Sequence, residues 1–202
     1  MKYLAIDTSG DLVVIAVNGE KTVVKYLEGC MAQHSLTLMQ YVEKSLDESG
    51  LEPDSADFFA VVTGPGSFTG IRIGVSTVKA LCLASGKKAL GLTAFDCLAY
   101  DDNVPEKAFC VIDANHGNYY CAAYDGKKLS TAPCFLTEAQ VKEKSAGYTI
   151  VASKEVPFDG AVTASIPNGL KNAADRLGGD AGDYETVLPL YVKRSQAEEE
   201  SC

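Results

Sequence analysis

The sequence predicts an α/β fold in which two lobes share the element order β-β-β-α-β-α. Two apolar strands, Tyr3–Asp7 and Phe109–Asp113, each end in an aspartate that is followed by a small polar turn and a second strand. Asn18-Gly19 and Asp125-Gly126 then mark hairpins, since such pairs favour tight turns between antiparallel strands. The number of residues between matching positions of the two segments is nearly constant, which indicates an internal duplication.

The first lobe is expected to span residues 1–103 and to centre on a strand, a glycine-rich turn and a long apolar helix. Apolar runs bounded by turn residues predict its strands, and apolar residues at a period of 3.6 predict its helices. Thr93 and Asp96 form a capping box that begins a short last helix. The expected elements are strands at 3–6, 12–17, 22–27, 58–62 and 89–92, and helices at 33–49, from the turn to 85, and from 93 to 100.

The second lobe is expected to span residues 104–202, with the boundary in the stretch Asp101–Pro105. After its hairpin, Thr137 and Gln140 cap a helix that runs to Gly147. A strand at 148–152 and a helix at 168–177 follow, and the chain ends in an acidic tail. This smaller lobe has no second Gly-Pro-Gly turn.

The turn Thr63–Gly70 carries three glycines and a proline, so its backbone can turn sharply and approach a neighbour closely. Ser67 and Thr69 can cap the helix that follows, and Gly86 ends that helix. Free amides at the helix start would form an anion site, and the alternative is a tight connection that binds nothing. The turn is not a P-loop, because it lacks the Gly-Lys-Ser/Thr ending and Arg72 lies inside the helix.

Composition restricts the classes of function. The chain has 202 residues, of which 47% are hydrophobic and 22% charged, and this excludes a disordered protein. Its net charge of −9 opposes direct, unaided binding of nucleic acid. The sequence shows no leader-like start and no apolar run of membrane-spanning length, so we expect a cytoplasmic protein without membrane contact. Seven cysteines without a CxxC spacing are expected to be reduced thiols and not zinc ligands.

Two lobes that each open on a strand ending in aspartate suggest the actin, hexokinase and Hsp70 architecture, in which two hairpins clamp the phosphates of a nucleotide. The sequence also resembles the TsaB (YeaZ) family, relatives of TsaD in the glycoprotease group. Four segments carry this resemblance: Ile6–Ser9, Gln33–Ser35, Gly64–Gly74 and Pro189–Arg194.

The resemblance implies a part in making threonylcarbamoyladenosine at position 37 of tRNAs that read ANN codons. It implies a scaffold subunit without catalysis of its own, which binds TsaD as a heterodimer, works with the ATPase TsaE and contacts tRNA through the complex. Alone, the chain is expected to form a homodimer. No tightly bound cofactor is expected, and ATP or ADP would bind only within the complex.

The resemblance also makes a metal site improbable. TsaD uses a His-x-x-x-His pair as metal ligands, and Ala94 and Leu98 occupy the corresponding places in this chain. The histidines here are His34 and His116, which lie far apart in sequence. Ser67 has no Gly-x-Ser-x-Gly surroundings and no evident histidine partner, so a serine hydrolase is not supported. No catalytic and no metal-binding residue is predicted.

Strand-end residues and the glycine turn form the possible nucleotide- or anion-binding site. Its aspartates could polarise a metal-bound phosphate, or could equally be carboxylates that bond to turn amides and bind nothing. The candidate residues are Asp7, Thr8, Ser9, Gly66, Ser67 and Asp113.

A partner surface is predicted on two helices, because the central helix is apolar on two sides and the helix before it carries apolar residues outside its main stripe. Two-fold pairing of these helices would form a four-helix bundle. We expect Leu38 and Val78 to face water in the monomer. The predicted partner-binding residues are Leu38, Tyr41, Val42, Arg72, Val75, Val78, Lys79 and Cys82.

An enzyme of the same architecture remains the alternative function. It would be a stand-alone nucleotide-dependent enzyme or a metal-dependent hydrolase. Tight, magnesium-dependent ATP binding with turnover would favour this alternative over the scaffold.

Overall fold

The computed structural model describes residues 1–28 and 34–192 and contains two five-stranded mixed sheets, so the α/β class is confirmed. The strand orders are β3-β2-β1-β4-β5 and β10-β9-β6-β7-β8. The first strand of each half pairs antiparallel with the second and parallel with the fourth. The two halves therefore repeat one topology, as the duplicated sequence pattern predicts. Gln33 and the end of the tail motif, Lys193-Arg194, lie outside the described residues, as does the side chain of His34.

The first sheet is built from five strands and places β1 and β4 at its centre. All five residues of β1, and all five of β4, are buried. This burial explains their continuous apolar sequences, which are typical of strands covered on both faces. The strands are β1 (Tyr3–Asp7), β2 (Leu12–Asn18), β3 (Thr22–Glu28), β4 (Phe58–Val62) and β5 (Lys88–Leu92).

Three helices accompany this sheet: α1 (His34–Ser49), α2 (Phe68–Ser85) and α3 (Ala94–Ala99). The Ser67 side chain accepts a hydrogen bond from the Gly70 amide at the start of α2, and Gly86 ends the helix in the left-handed conformation. Thr69 lies inside the helix instead of capping it. The predicted capping box of Thr93 and Asp96 is present at α3.

Helix α2 is, by length and composition alone, long and apolar enough to cross a membrane, and it is the one such helix among the described residues. This corrects the expectation that the sequence holds no run of that length. One face of α2 packs against β4, with Ile71, Val75, Val78 and Cys82 buried there. That arrangement is typical of a core helix.

The second half follows the predicted order of elements, with one added strand and with several element ends shifted by one to three residues. A short edge strand, β10, was not predicted, and α4 ends at Lys144, three residues before the predicted Gly147. The capping box of Thr137 and Gln140 is present. The elements are β6 (Lys107–Asp113), β7 (Asn118–Asp125), β8 (Lys128–Thr137), α4 (Glu138–Lys144), β9 (Thr149–Ala152), β10 (Val162–Thr163) and α5 (Ile166–Leu177).

Helix α5 belongs to the second half of the sequence but packs against the first sheet, mainly on β1 and β2. The chain after it continues on the first half, where Gly182 forms an antiparallel bridge with Ala89. One hydrophobic cluster contains buried residues of both halves, including Tyr3 and Cys110. The two halves thus share a core, and the boundary between residues 103 and 104 stays a prediction.

Candidate functional site

A cleft between the two sheets holds two neighbouring cavities of about 510 and 530 Å³, here called the first and second cavity. Three strand-end segments line both of them. These are the β1–β2 loop through Ser9 to Asp11, the end of β6 at Ile112, and the residues after β9, Ser153 and Lys154. Because parallel strands end at the same edge of a sheet, the fold concentrates these residues at one place.

Asp7 lines the first cavity and is 4% exposed. Its Oδ1 accepts hydrogen bonds from the Ser9 amide at 2.8 Å and from the Ser9 hydroxyl at 2.6 Å. Burial raises the pKa of the Asp7 carboxyl, and the two bonds from Ser9 lower it by less. The carboxyl is therefore held in place by its own turn, which was one of the two interpretations left open by the sequence.

The glycine turn packs directly on the β1–β2 loop. Thr8 Oγ1 donates to the Gly70 carbonyl at 2.7 Å, and the Ser67 amide donates to the Ser9 carbonyl at 2.6 Å. A Cβ on Gly66 would overlap the Ser9 carbonyl oxygen, and one on Gly70 would overlap that of Thr8. These glycines are required because two backbones meet without space for a side chain.

Asp113 lies at the end of β6, where it is exposed and accepts a hydrogen bond from the Asn115 amide at 2.7 Å. It lines the second cavity, whereas Asp7 lines the first. The fold therefore brings both strand-end aspartates to the cleft but places them at different cavities.

Lys154 was missed by the sequence analysis. It lines both cavities, and its Nζ forms an ion pair with Asp11 across the cleft. Its position two residues after the predicted strand 148–152 was a usable signal, because ligand-binding groups concentrate where parallel strands end.

The charges of the cleft do not suit a phosphate group. The first cavity is lined by two carboxylates, Asp7 and Asp11, and by Lys154, which Asp11 already pairs. The second cavity shares Asp11 and Lys154 with the first and is also lined by two further acidic residues, Asp113 and Glu155. At the start of α2, the Ser67 and Gly70 amides are already bonded within the protein. An unshielded polyphosphate would thus meet net negative charge.

The residues present do not fit the metal that the resemblance to TsaD implies. Ala94 and Leu98 are buried and line the first cavity, and neither side chain carries a donor atom for a metal. Among the described residues, no group of three or more His, Cys, Asp or Glu side chains could hold a metal ion.

The described cysteines are free thiols, as expected. Four of these five are buried, and burial raises the pKa of the Cys82 thiol to about 11 and that of Cys121 to about 12. Cys30 and Cys202 lie outside the described residues. A raised pKa keeps a thiol protonated and unreactive at neutral pH.

The predicted partner surface needs correction. Leu38 and Val78 are 2% and 0% exposed, so the expectation that they face water in the monomer is wrong. The physical reason is that α2 turns its Ile71-to-Cys82 stripe toward the sheet, and α1 packs the matching face beside it. The predicted partner residues that are buried in this core are Leu38, Val42, Val75, Val78 and Cys82.

Other residues form the outer side of these helices. Arg72 lies 3.7 Å over the Phe68 ring, and its Nε donates to the Tyr191 hydroxyl at 3.0 Å. Phe68 and Tyr191 stack at 5.0 Å, and both are exposed. Leu83 on the same helix is 69% exposed. Of the remaining predicted partner residues, Tyr41 is half-buried and Lys79 donates to the Glu185 carbonyl at 3.2 Å.

The family model described as "TsaD: tRNA N6-adenosine threonylcarbamoyltransferase" matches residues 28–142, which is more than half of the chain. The chain belongs to this family. Two solved structures from Pseudomonas aeruginosa support the fold: "YeaZ", at a TM-score of 0.77, and an uncharacterised protein described as similar to peptidase YeaZ, at 0.79. Both are 24% identical, cover 94% and 95% of this chain, and are themselves covered to 99%.

Within the TsaD family, the resemblance to TsaB (YeaZ) is confirmed by curated relatives. The chain is 31% identical over 127 residues to the Escherichia coli "tRNA threonylcarbamoyladenosine biosynthesis protein TsaB", covering 61% of this chain and 55% of that protein. The Bacillus subtilis protein of the same name is 31% identical, covering 63% and 56%. The chain thus matches only about half the length of these relatives. With the solved neighbours, these matches confirm the actin-like architecture.

Proposed function

We propose that this chain takes part in threonylcarbamoyladenosine biosynthesis on tRNA as a non-catalytic subunit that binds a TsaD-type transferase. The TsaB name of the curated relatives and the match to the TsaD family model support the pathway. The chain would contact tRNA only through the complex, since its net charge is −9. The ATPase TsaE would complete the complex, and the chain alone would pair with a second copy.

The observation that carries the non-catalytic role is the pair Ala94 and Leu98. The resemblance to TsaD implies metal-binding histidines at these two places, whereas here Ala94 and Leu98 form part of an apolar cavity wall. Among the described residues there is no cluster of metal ligands and the Ser67 hydroxyl serves as a helix cap, so we propose no threonylcarbamoyl transfer by this chain itself.

The partner surface we propose is the outer side of α2. An arginine that lies over one exposed aromatic ring and donates to the hydroxyl of a second is typical of residues that dominate protein interfaces, because its orientation is fixed before binding. Arg72 would therefore be the centre of the contact, with Phe68 and Tyr191 beside it and Leu83 farther along the same helix. The buried residues Val75, Val78 and Cys82 would act indirectly, by holding α2 on the sheet.

The test is to measure threonylcarbamoyladenosine in total tRNA from cells depleted of this protein. We expect the modified nucleoside to fall and to return when the wild-type gene is restored. Unchanged levels in depleted cells would contradict the proposal.

The stand-alone enzyme is supported by one observation, the presence of two cavities in the cleft. The net negative lining of both cavities argues against it as a nucleotide-dependent enzyme. Purified chain that hydrolyses ATP at a rate dependent on Asp7 or Asp113 would favour it.

A further inference from the structure

We propose that the first cavity binds a small molecule with an apolar body and one cationic amine or amidine group, and that this group contacts Asp7. The inference goes beyond the proposed function, because it concerns the interior of the cleft and not the outer side of α2. It is supported by the Asp7 carboxyl that lines the cavity, the apolar character of the walls and the balance of charge.

The carboxyl of Asp7 has one oxygen available. Both hydrogen bonds that it accepts end on Oδ1. Among the described residues, Asp7 Oδ2 has no hydrogen-bond partner. Of the fully buried side-chain nitrogen and oxygen atoms in the described residues, Asp101 Oδ1 is the one that lacks a partner, so Asp7 Oδ2 is not fully buried. Asp7 Oδ2 therefore keeps contact with the space of the cavity that Asp7 lines. A carboxylate oxygen accepts hydrogen bonds only, so its ligand must supply a donor.

The walls of the cavity are largely apolar. Leu12 and Val24 come from the first sheet, Ala94 and Leu98 from α3, Ile112 from the second sheet and Ile166 from α5. A volume of about 510 Å³ lies within the range of small-molecule sites, which is roughly 300–1,000 Å³. An aromatic or aliphatic body would fill this space and displace water from it.

The charge of the lining selects the sign of the ligand. The cation at the rim, Lys154, is paired with Asp11, so Asp7 is the carboxylate left without a counter-charge in the described lining. A cationic group beside Oδ2 would supply that charge, and a charge-assisted hydrogen bond in a partly dry site is stronger than a neutral one. An anionic ligand would meet repulsion instead.

The experiment uses the full-length chain and three probes of one shape: benzamidine, which is cationic, benzamide, which is neutral, and benzoate, which is anionic. Binding is followed by two-dimensional NMR titration of backbone amides. We expect benzamidine to bind with a dissociation constant below about 1 mM and at least about tenfold more tightly than benzoate. The shifted amides should include Ala94, Leu98 and Ile166.

Asp7→Asn is the decisive variant, because the amide can keep accepting from Ser9 through Oδ1 while the charge is lost. It should weaken benzamidine at least about tenfold and leave benzamide unchanged. Asp113→Asn is the matched control, since it makes the same change at the second cavity and should leave benzamidine unaffected.

Three results would overturn the proposal. The first is that benzoate binds as tightly as benzamidine or more tightly. The second is that the amide chemical-shift changes caused by benzamidine map to Asn115 and the second cavity, and the third is that benzamidine shows no saturable binding up to about 10 mM. The mapping and the probe comparison are made on the wild-type chain, so they hold even if a variant fails to fold.

Discussion

Thr8 and Gly70 are joined by a 2.7 Å hydrogen bond from the Thr8 hydroxyl to the Gly70 carbonyl, and the Thr8 carbonyl oxygen occupies the space that a Cβ on Gly70 would need. This contact fixes the start of α2 against the end of β1. It connects the glycine turn to the β1–β2 loop, which lines the cleft.

Gly70→Ala should therefore destabilise the fold by about 2 kcal/mol or more, because the new methyl group meets backbone that cannot move aside easily. Gly10→Ala in the neighbouring loop is the control, since the nearest atom to its Cβ would be 4.0 Å away, and it should change stability by less than about 0.5 kcal/mol. Urea unfolding measures both. Equal stabilities of the two variants would contradict the tight contact.

Val78→Ala should cost about 2 kcal/mol of stability, because the side chain is fully buried between α2 and the sheet. Leu83→Ala, on the exposed side of the same helix, should be within about 0.5 kcal/mol of wild type. Thermal and urea unfolding followed by circular dichroism separate the two. A neutral Val78→Ala would mean that this face of α2 is not core.

The stability contribution of Asp7 should depend on pH in a defined direction. Burial raises the pKa of this carboxyl in the folded chain, so the folded state holds the proton more tightly than the unfolded state. Its contribution to stability therefore falls as pH rises from about 4, the unfolded pKa, through the higher folded pKa.

Asp7→Asn should accordingly be more stable than wild type at about pH 8, and the difference should shrink toward about pH 4. Denaturant unfolding at several pH values measures it, with Asp113→Asn as the control for loss of an exposed carboxylate. A variant that is less stable than wild type at pH 8 would show that the charged form of Asp7 is favoured in the fold.

Partner binding should depend on the cluster formed by Phe68, Arg72 and Tyr191. Arg72→Ala and Phe68→Ala should each weaken capture of a TsaD-type transferase by about tenfold to a hundredfold, without unfolding the chain. Leu129→Ala, which removes an exposed apolar side chain on β8, is the matched control and should bind normally. If both cluster variants bind like wild type, the partner uses another surface.

ATP should bind the isolated chain weakly, with a dissociation constant above about 10 μM, because both cavities carry net negative linings and the lysine at the cleft is already paired. Calorimetry with and without magnesium measures this. Tight binding that needs magnesium would restore the stand-alone enzyme as the better account.

Much of the fold could be predicted from the sequence because the deciding signals are local. The capping boxes of Thr93 and Thr137 and the left-handed Gly86 depend on residues within one turn of each other, and all three are present. The repeated strand-aspartate-hairpin order likewise predicted both sheets.

The failures concern contacts between distant segments. Helix α2 is apolar on two sides, so its sequence does not determine which side meets the sheet, and Val78 was assigned to the outer side wrongly. Lys154 was missed because its meeting with Asp11 requires both sheets to be in place. The packing of α5 against the first sheet was not predicted for the same reason, because it joins segments that are distant in the sequence.

The most direct test of the account is a reconstituted reaction with tRNA, the threonylcarbamoyl adenylate, ATP, a TsaD-type transferase and the ATPase TsaE, with this chain present or omitted. We predict that threonylcarbamoyladenosine forms only when both the transferase and this chain are present, and that Arg72→Ala lowers the yield in proportion to its weaker binding. Formation at an unchanged rate without the chain, or formation by the chain without the transferase, would contradict the account.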